Sequence, residues 1–498
     1  METLEGLSYG FQIATQPINL IYCFFGVLIG TLVGVLPGLG PSAAIALLLP
    51  ATFQASPVSA IIMLAGIFYG VMYGGSTTSI LVNIPGEAAS VVTCLDGYKM
   101  ALKGRAGPAL GISAFGSFIA GTFGILALSV VAPLLSGVAL KFGPPEFFSL
   151  MLVGIMILTF LSSGSMIKSL MMAAVGIILS GVGMDNIEGG YRFVYARILL
   201  DGINIVPAVM GLFGISEVLM NLDTEVRKEV LSTRIKNLLP TLRDWSNSIW
   251  SILRGTILGF FLGLIPGGGA IIASFASYAI EKKISKHPKE FGEGAIQGVA
   301  GPEAANNAAA SGNFIPLLTL GIPANAVMAI LLGALMIHGL QPGPLMMSAH
   351  PDVFWGTIVS MYIGNGMLLV LNIPLIPLWV KVLKVPYYLL YPLILLFCLI
   401  GAYSIDNNSG TVVVMLVFGV MGYLMRKFRY DAAPVVLALV LGKELERSFR
   451  QSLIMAHGDF SIFVTRYLSL SLLIVAVLML IIPIFTQRRG LSALNSDE

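Results

Sequence analysis

Apolar and polar positions along this chain alternate on the scale of whole helices. From Gly6 to Gly86 there are 81 residues without one Lys, Arg, Asp or Glu, and further charge-free runs cover 106–140, 147–167, 304–351, 353–380, 385–405 and 407–425. A helix needs about 20 apolar residues to cross a bilayer, so the pattern predicts roughly ten to fourteen crossings or re-entrant segments. In the first half apolar helices are expected at 17–36, 58–73, 108–135, 146–163, 166–183 and 200–220, with a short one over 43–50. In the second half they are expected at 325–340, 354–380, 387–403, 410–425, 433–441 and 464–486. The predicted fold class is an all-α polytopic integral membrane protein.

One stretch is written twice. Gly30-Thr-Leu-Val-Gly34-Val-Leu-Pro37-Gly38-Leu-Gly40 returns as Gly259-Phe-Phe-Leu-Gly263-Leu-Ile-Pro266-Gly267-Gly268-Gly269, with five positions at a constant offset of 229. Proline removes a backbone donor and glycine opens dihedrals closed to other residues, so a helix should break in each copy. Inside lipid the freed N–H and C=O groups need protein or a wet cavity, and paired interruptions in two halves of a membrane chain point to a transporter binding site. The Gly30-xxx-Gly34 and Gly259-xxx-Gly263 spacings read as close helix-packing faces.

A second motif follows each break. Tyr73-Gly74-Gly75-Ser76-Thr77-Thr78-Ser79 leads to Asn83-Ile84-Pro85-Gly86-Glu87, and Gly301-Pro-Glu303-Ala-Ala-Asn306-Asn307 to Ser311-Gly312-Asn313 leads to Gly321-Ile322-Pro323-Ala324-Asn325. Gly74 and Gly312, like Pro85 and Pro323, stand 238 apart; the extra nine residues match the lysine-rich loop at 281–290, which only the second half carries. Two motifs in the same order with one local insertion indicate duplication. The expected organisation is a membrane repeat over 1–220, a charged cytoplasmic linker over 221–254, a second repeat over 255–463, and a terminal transmembrane helix and cytoplasmic tail over 464–498.

Basic residues set the expected orientation, because cytoplasmic loops carry the Lys and Arg excess. The second glycine motif is bracketed by Arg243 and Arg254 before it and by Lys282, Lys283, Lys286 and Lys289 after it, whereas the first has no basic neighbour until Lys99. That asymmetry predicts two inverted repeats with broken or re-entrant helices at the Pro-Gly motifs, two kinked ordinary spans being the alternative. Arg488 and Arg489 place the C-terminus in the cytoplasm, and Met1-Glu-Thr-Leu-Glu5 lacks the basic start of a cleaved signal peptide.

Composition agrees with the pattern and removes other classes. Of 498 residues, 56% are hydrophobic and 11% charged, with a mean hydropathy of +0.90. A net charge of +3, scattered along the chain, gives no basis for nucleic-acid binding. Cys23, Cys94 and Cys398 read as buried thiols, and the four histidines, His287, His338, His350 and His457, match no metal spacing.

An anion crossing these apolar stretches needs donors, and Lys and Arg are almost absent from them. Helix N-termini opening after each break supply N–H groups and a positive dipole end, so Pro37, Gly38, Gly40 and Ser42, with Pro266, Gly267, Gly268 and Gly269, are candidate substrate-binding residues. Ser76, Thr77, Thr78, Asn83, Asn306, Asn307 and Asn313 would add neutral hydrogen bonds. Carbonyls freed at the breaks suit a hard cation, and a Na+ ion is expected near Asn83, Glu87, Asn307 and Asn325. Glu87 and Glu303 can carry a cation or a proton, unless they lie at the membrane surface.

With these motifs the chain resembles the large membrane subunit of the tripartite tricarboxylate transporters over nearly its whole length. The resemblance rests on Gly34-Val-Leu-Pro-Gly-Leu-Gly-Pro41, Tyr73-Gly-Gly-Ser-Thr-Thr-Ser79 with Asn83-Ile-Pro-Gly-Glu87, Gly263-Leu-Ile-Pro-Gly-Gly-Gly-Ala270, Ala273-Ser-Phe-Ala-Ser-Tyr278 and Gly301-Pro-Glu-Ala-Ala-Asn-Asn-Ala308. It implies a multi-pass permease of the bacterial cell inner membrane, without enzymatic activity or a bound cofactor. Such a permease takes a di- or tricarboxylate such as citrate from a periplasmic solute-binding protein. It works with a small membrane subunit of about four helices and is driven by a Na+ or H+ gradient. Its expected surroundings are membrane lipid and these partners. A channel and an intramembrane enzyme acting on a lipid are the competing readings; the second would need convergent acids, histidines or a metal cluster.

Overall fold

The computed structural model describes residues 3–36, 40–161, 165–185, 187–222, 238–265, 269–383 and 387–494. Among them, six helices are long and apolar enough to cross a membrane, and six shorter apolar helices accompany them. The chain is therefore an all-α polytopic membrane protein. Its only sheet among the described residues is a two-stranded hairpin, Gly183–Met184 with Tyr191–Arg192.

The centre is built from two helix pairs whose contacts repeat at the offsets seen in the sequence. In the first pair, Pro17–Val35 lies against Pro57–Val82, with Gly26 on Met63, Gly30 on Ile67 and Gly34 on Val71, all against backbone. In the second, Leu242–Leu264 lies against Gln297–Gly312, with Gly255 on Gly301, Gly259 on Ala305 and Gly263 on Ala309. Each first member moves by 229 residues and each second member by 238. Gly74 and Gly312 also correspond, resting on the backbone of Thr31 and Gly34 and of Phe260 and Gly263. Backbones this close leave no room for a side chain, so the Gly-xxx-Gly spacings are packing faces, as expected.

The pairing fixes the path of the chain. Contact positions rise together in both members, so each pair is parallel, with a shorter helix, Pro41–Leu48 or Gly269–Ile284, between its members. In the second pair, Glu281 near the end of Gly269–Ile284 accepts hydrogen bonds from Ser251 and Arg254, near the middle of Leu242–Leu264, at 2.6 and 2.8 Å. Gly269–Ile284 thus runs back along Leu242–Leu264, and Gln297–Gly312 starts alongside the middle of that helix.

The two pairs cross in opposite directions. Phe68 meets Phe314 with ring centroids 6.0 Å apart, and eight residues later Ser76 reaches back to Glu303. Ala106–Ala139 and Pro351–Asn372 pack across this crossing. At one end, Asp96 Oδ1 accepts three backbone N–H groups, from Gly292, Gly294 and Ala295 at 2.9, 2.7 and 2.8 Å, tying the first half to the loop after Gly269–Ile284.

Local chemistry explains several helix ends. Ser56 caps the Pro57–Val82 helix through Ser59 N–H, and Asn83 closes it in the left-handed conformation at φ 59°. Thr241 and Asp244 form a reciprocal capping box at the start of Leu242–Leu264, and Arg105 pairs with Asp244. Three expected boundaries move. The helix expected to stop at residue 73 runs on to Val82, because Gly74 and Gly75 pack on Thr31, Gly34 and Glu87. The helix expected over 354–380 divides at Asn372, just before Pro374, and resumes at Ile376. The one expected over 433–441 continues to Met455 along a charged face.

Candidate functional site

Where the pairs cross, two acidic side chains are buried without a basic partner among the described residues. Glu303 is 1% exposed and Glu87 5%. Ser76 Oγ donates to Glu303 Oε2 at 2.5 Å, and Thr93 Oγ1 donates to Glu303 Oε1. In the reverse sense, Asn306 Nδ2 donates to Glu87 Oε1 at 3.1 Å, while Ala89 N–H occupies Oε2 at 2.6 Å. Each half therefore supplies a carboxylate that the other half holds with neutral donors. Burying a carboxylate charge unpaired is costly, so these groups suit a partner that arrives and leaves, a proton or a hard cation.

The expected site residues distribute around this crossing in three ways. Ser76 and Asn306 hold the carboxylates, as described. Thr78, fully buried, donates to the Val35 carbonyl at 2.7 Å, fastening the last turn before the first break. Asn307 donates to Ser117 Oγ at 2.8 Å and to the Glu303 carbonyl at 3.0 Å. Thr77 lines a small cavity with Tyr73, Ser76, Ser113 and Asn372. Its volume is about 10 Å³, near that of one water. Asn313 is fully buried with neither amide atom partnered, and the Oδ1 atoms of Asn306 and Asn372 are likewise without a protein partner.

Other expected residues lie apart from the carboxylates. Asn83 is exposed at its helix end. Asn325 uses Oδ1 to cap the Ala326–Ile337 helix through Met328 N–H at 3.0 Å. Among the described residues, Asn306 is the asparagine that meets Glu87; Asn83, Asn307 and Asn325 make no hydrogen bond to it. Gly40 and Ser42 are half-buried at the start of Pro41–Leu48, and Gly269, at φ 46°, opens Gly269–Ile284. Pro37, Gly38, Pro266, Gly267 and Gly268 lie outside the described residues.

Several polar groups at the crossing escape a reading of the sequence. Thr93 sits beyond the polar passage, and its partner Glu303 is 210 residues away. Tyr73 donates to Asn365 Oδ1 at 3.1 Å, and Asn365 Nδ2 donates to the Phe118 carbonyl and to Thr122 at 2.9 and 3.0 Å. Asn365 and Asn372 stand seven residues apart in an otherwise apolar stretch. That spacing, two turns along one helix face, was the available signal.

A second concentration of charge lies at the hairpin and the Ala433–Met455 helix. Arg192 grips Glu446 with two bonds of 2.9 and 3.1 Å, and Arg450 binds Asp185 at 2.7 Å, Glu446 at 3.2 Å and also Glu188. Ile187 N–H and Arg450 hold the Asp185 carboxyl at about 2, well below the usual carboxylate range.

Two helix pairs around a polar crossing with no Lys or Arg partner among the described residues, within a multi-pass helical membrane protein, fit the class of membrane transporter components. The chain belongs to the tripartite tricarboxylate transporter TctA family, whose model matches residues 20–437. A protein of Agrobacterium vitis, described as "Uncharacterized 52.8 kDa protein in TAR-I ttuC' 3'region", is 50% identical over 491 residues, 98% of either chain. A second from the same organism, "Uncharacterized protein in TAR-II ttuC' 3'region", is 50% identical over 242 residues, 48% of this chain and 100% of its own. No solved structure matches the chain.

Proposed function

We propose that the chain is the permease of a tripartite, gradient-driven importer of small di- or tricarboxylates such as citrate. It sits in a bacterial inner membrane beside a small four-helix subunit and receives its substrate from a periplasmic binding protein. The two helix pairs are inverted repeats, and the helices that open at Pro41 and Gly269 after each break offer N–H groups to the substrate. Supporting this are the parallel packing within each pair, the antiparallel crossing between pairs and the family's description.

One observation carries the reading: the exchange of contacts in which Ser76 and Thr93 hold Glu303 while Asn306 holds Glu87. Coupling follows from it. A proton or Na+ bound at these carboxylates offsets their burial, and movement of one half against the other breaks both sets of bonds together. The hydroxyl, amide and carboxylate oxygens present fit either ion.

The test is uptake of labelled citrate, succinate and tartrate into proteoliposomes holding the full complex, with and without its binding protein and with Na+ and proton gradients imposed separately. Uptake of at least one acid that requires one gradient and the binding protein is expected. Flux that ignores both gradients and does not saturate would instead identify a channel.

A further inference from the structure

We infer that a cavity between Arg197 and Lys443 is a second anion site, which holds a di- or tricarboxylate at the surface of the protein before it reaches the crossing; the ligand's identity rests on the permease reading above. The cavity measures about 450 Å³, within the roughly 300–1,000 Å³ of small-ligand sites. Its walls come from the loop at Arg197–Asn204, the end of Ala326–Ile337, the start of Ser409–Lys427 and Lys443 on the Ala433–Met455 helix.

The charge pattern singles this cavity out. Neighbouring Arg192, Arg447 and Arg450 are all paired with carboxylates, whereas Arg197 and Lys443 make no ion pair or hydrogen bond among the described residues. Two unpaired cations thus face one open cavity. Two asparagines complete it with a fixed polarity. Asn204 Oδ1 accepts from Val206 N–H at 3.1 Å and Asn408 Oδ1 from Gly410 N–H at 2.8 Å, each capping a helix. With the oxygens engaged, the NH₂ groups remain to donate, and an anion is what they can serve. Asp201 lies on the same wall and opposes the cations, which keeps the hold loose enough for release.

Its position fits an entrance. The cavity lies at the starts of the helices that begin at Ile205 and Ser409. The other end of the second helix carries Arg426 and Lys427, with Arg426 paired to Glu217 near the end of the first. Pro50 and Met210 meet at Gly401, which places the Ile205 end beside the start of Pro57–Val82 and away from the lysine-rich loop at 281–290, next to the Gly292 that Asp96 holds; the cavity thus opens on the side where a binding protein would deliver its cargo.

The test is equilibrium binding of labelled citrate, with succinate and tartrate as competitors, to the full chain in nanodiscs of zwitterionic lipid at low salt. Saturable binding is expected. Arg197→Ala or Lys443→Ala should each weaken it about tenfold, the scale of one charge-assisted hydrogen bond. Asp201→Asn should tighten it several-fold, a gain that misfolding cannot produce. No binding of any of the three acids, indifference to both cation variants, or no gain in D201N overturns the site. Displacement of citrate by phosphatidylglycerol in the disc assigns the cavity to a lipid phosphate and equally overturns it. Binding in nanodiscs needs neither a gradient nor a binding protein. Failed uptake with variant-sensitive binding would therefore remove the permease reading and leave an anion site, whereas normal uptake with absent binding would do the reverse.

Discussion

The crossing and the hairpin end hold carboxylates by opposite means. At the crossing, Glu303 and Glu87 are held by Ser76, Thr93, Asn306 and backbone, with no cation in reach among the described residues. At the hairpin, Asp185 and Glu446 are gripped by Arg192 and Arg450. Arginine pairs supply a permanent counter-charge, and breaking one by removing a partner leaves an unpaired charge behind. Neutral donors orient a carboxylate and leave its charge unanswered. The paired arrangement fixes structure; the unpaired one is where the proposed coupling ion would act.

The contrast is broken or sharpened most strongly by removing one charge from each region. Glu303→Gln keeps the shape and the hydroxyl partners but deletes the charge, and should lower gradient-driven uptake about a hundredfold, or roughly 3 kcal/mol of barrier. Glu446→Gln should leave uptake within about twofold. Equal losses in the two variants would erase the distinction. Next in size is the close packing that brings the halves together. A methyl group at Gly30 would stand 2.5 Å from the Ile67 carbonyl oxygen, and one at Gly259 would overlap the Ala305 backbone. Gly30→Ala and Gly259→Ala should each destabilise the protein by about 1–3 kcal/mol, read as a fall in thermal midpoint in detergent. An unchanged midpoint in both would mean that the backbones yield freely there.

The smallest effect concerns acid. Because Asp185 titrates lower in the folded hairpin than its ordinary value near 3.9, its stabilisation is complete above that value and fades as pH falls toward 2. Amide exchange in the 183–192 hairpin should quicken between about pH 4 and 2, relative to neighbouring helices, and Arg450→Ala should bring similar quickening at neutral pH. Exchange that stays flat across that window would show that the pair does not hold the hairpin.

Much of the centre was legible because duplication leaves a record that physics cannot blur. The offsets of 229 and 238 predicted which residues correspond, and Gly26, Gly30 and Gly34 with their counterparts Gly255, Gly259 and Gly263 occupy equivalent contacts. The polar passages were legible as candidate stretches within the membrane, and they are buried, since Ser76 to Ser79 and Asn306 to Asn313 interrupt apolar sequence. Their helical state was not, because glycine lowers helix propensity wherever no neighbouring backbone rewards its small size. Nor could sequence pair Ser76 with Glu303 across 227 residues, or turn Asn365 toward Tyr73. Such meetings follow from how whole helices cross.

The triple hold of Asp96 on the amides of Gly292, Gly294 and Ala295 has a mechanical result. A clasp of three bonds on one oxygen resists parting, so any rocking of the two halves pivots near it. Lever geometry then gives the smallest displacement beside the clasp and the widest swing at the far rim.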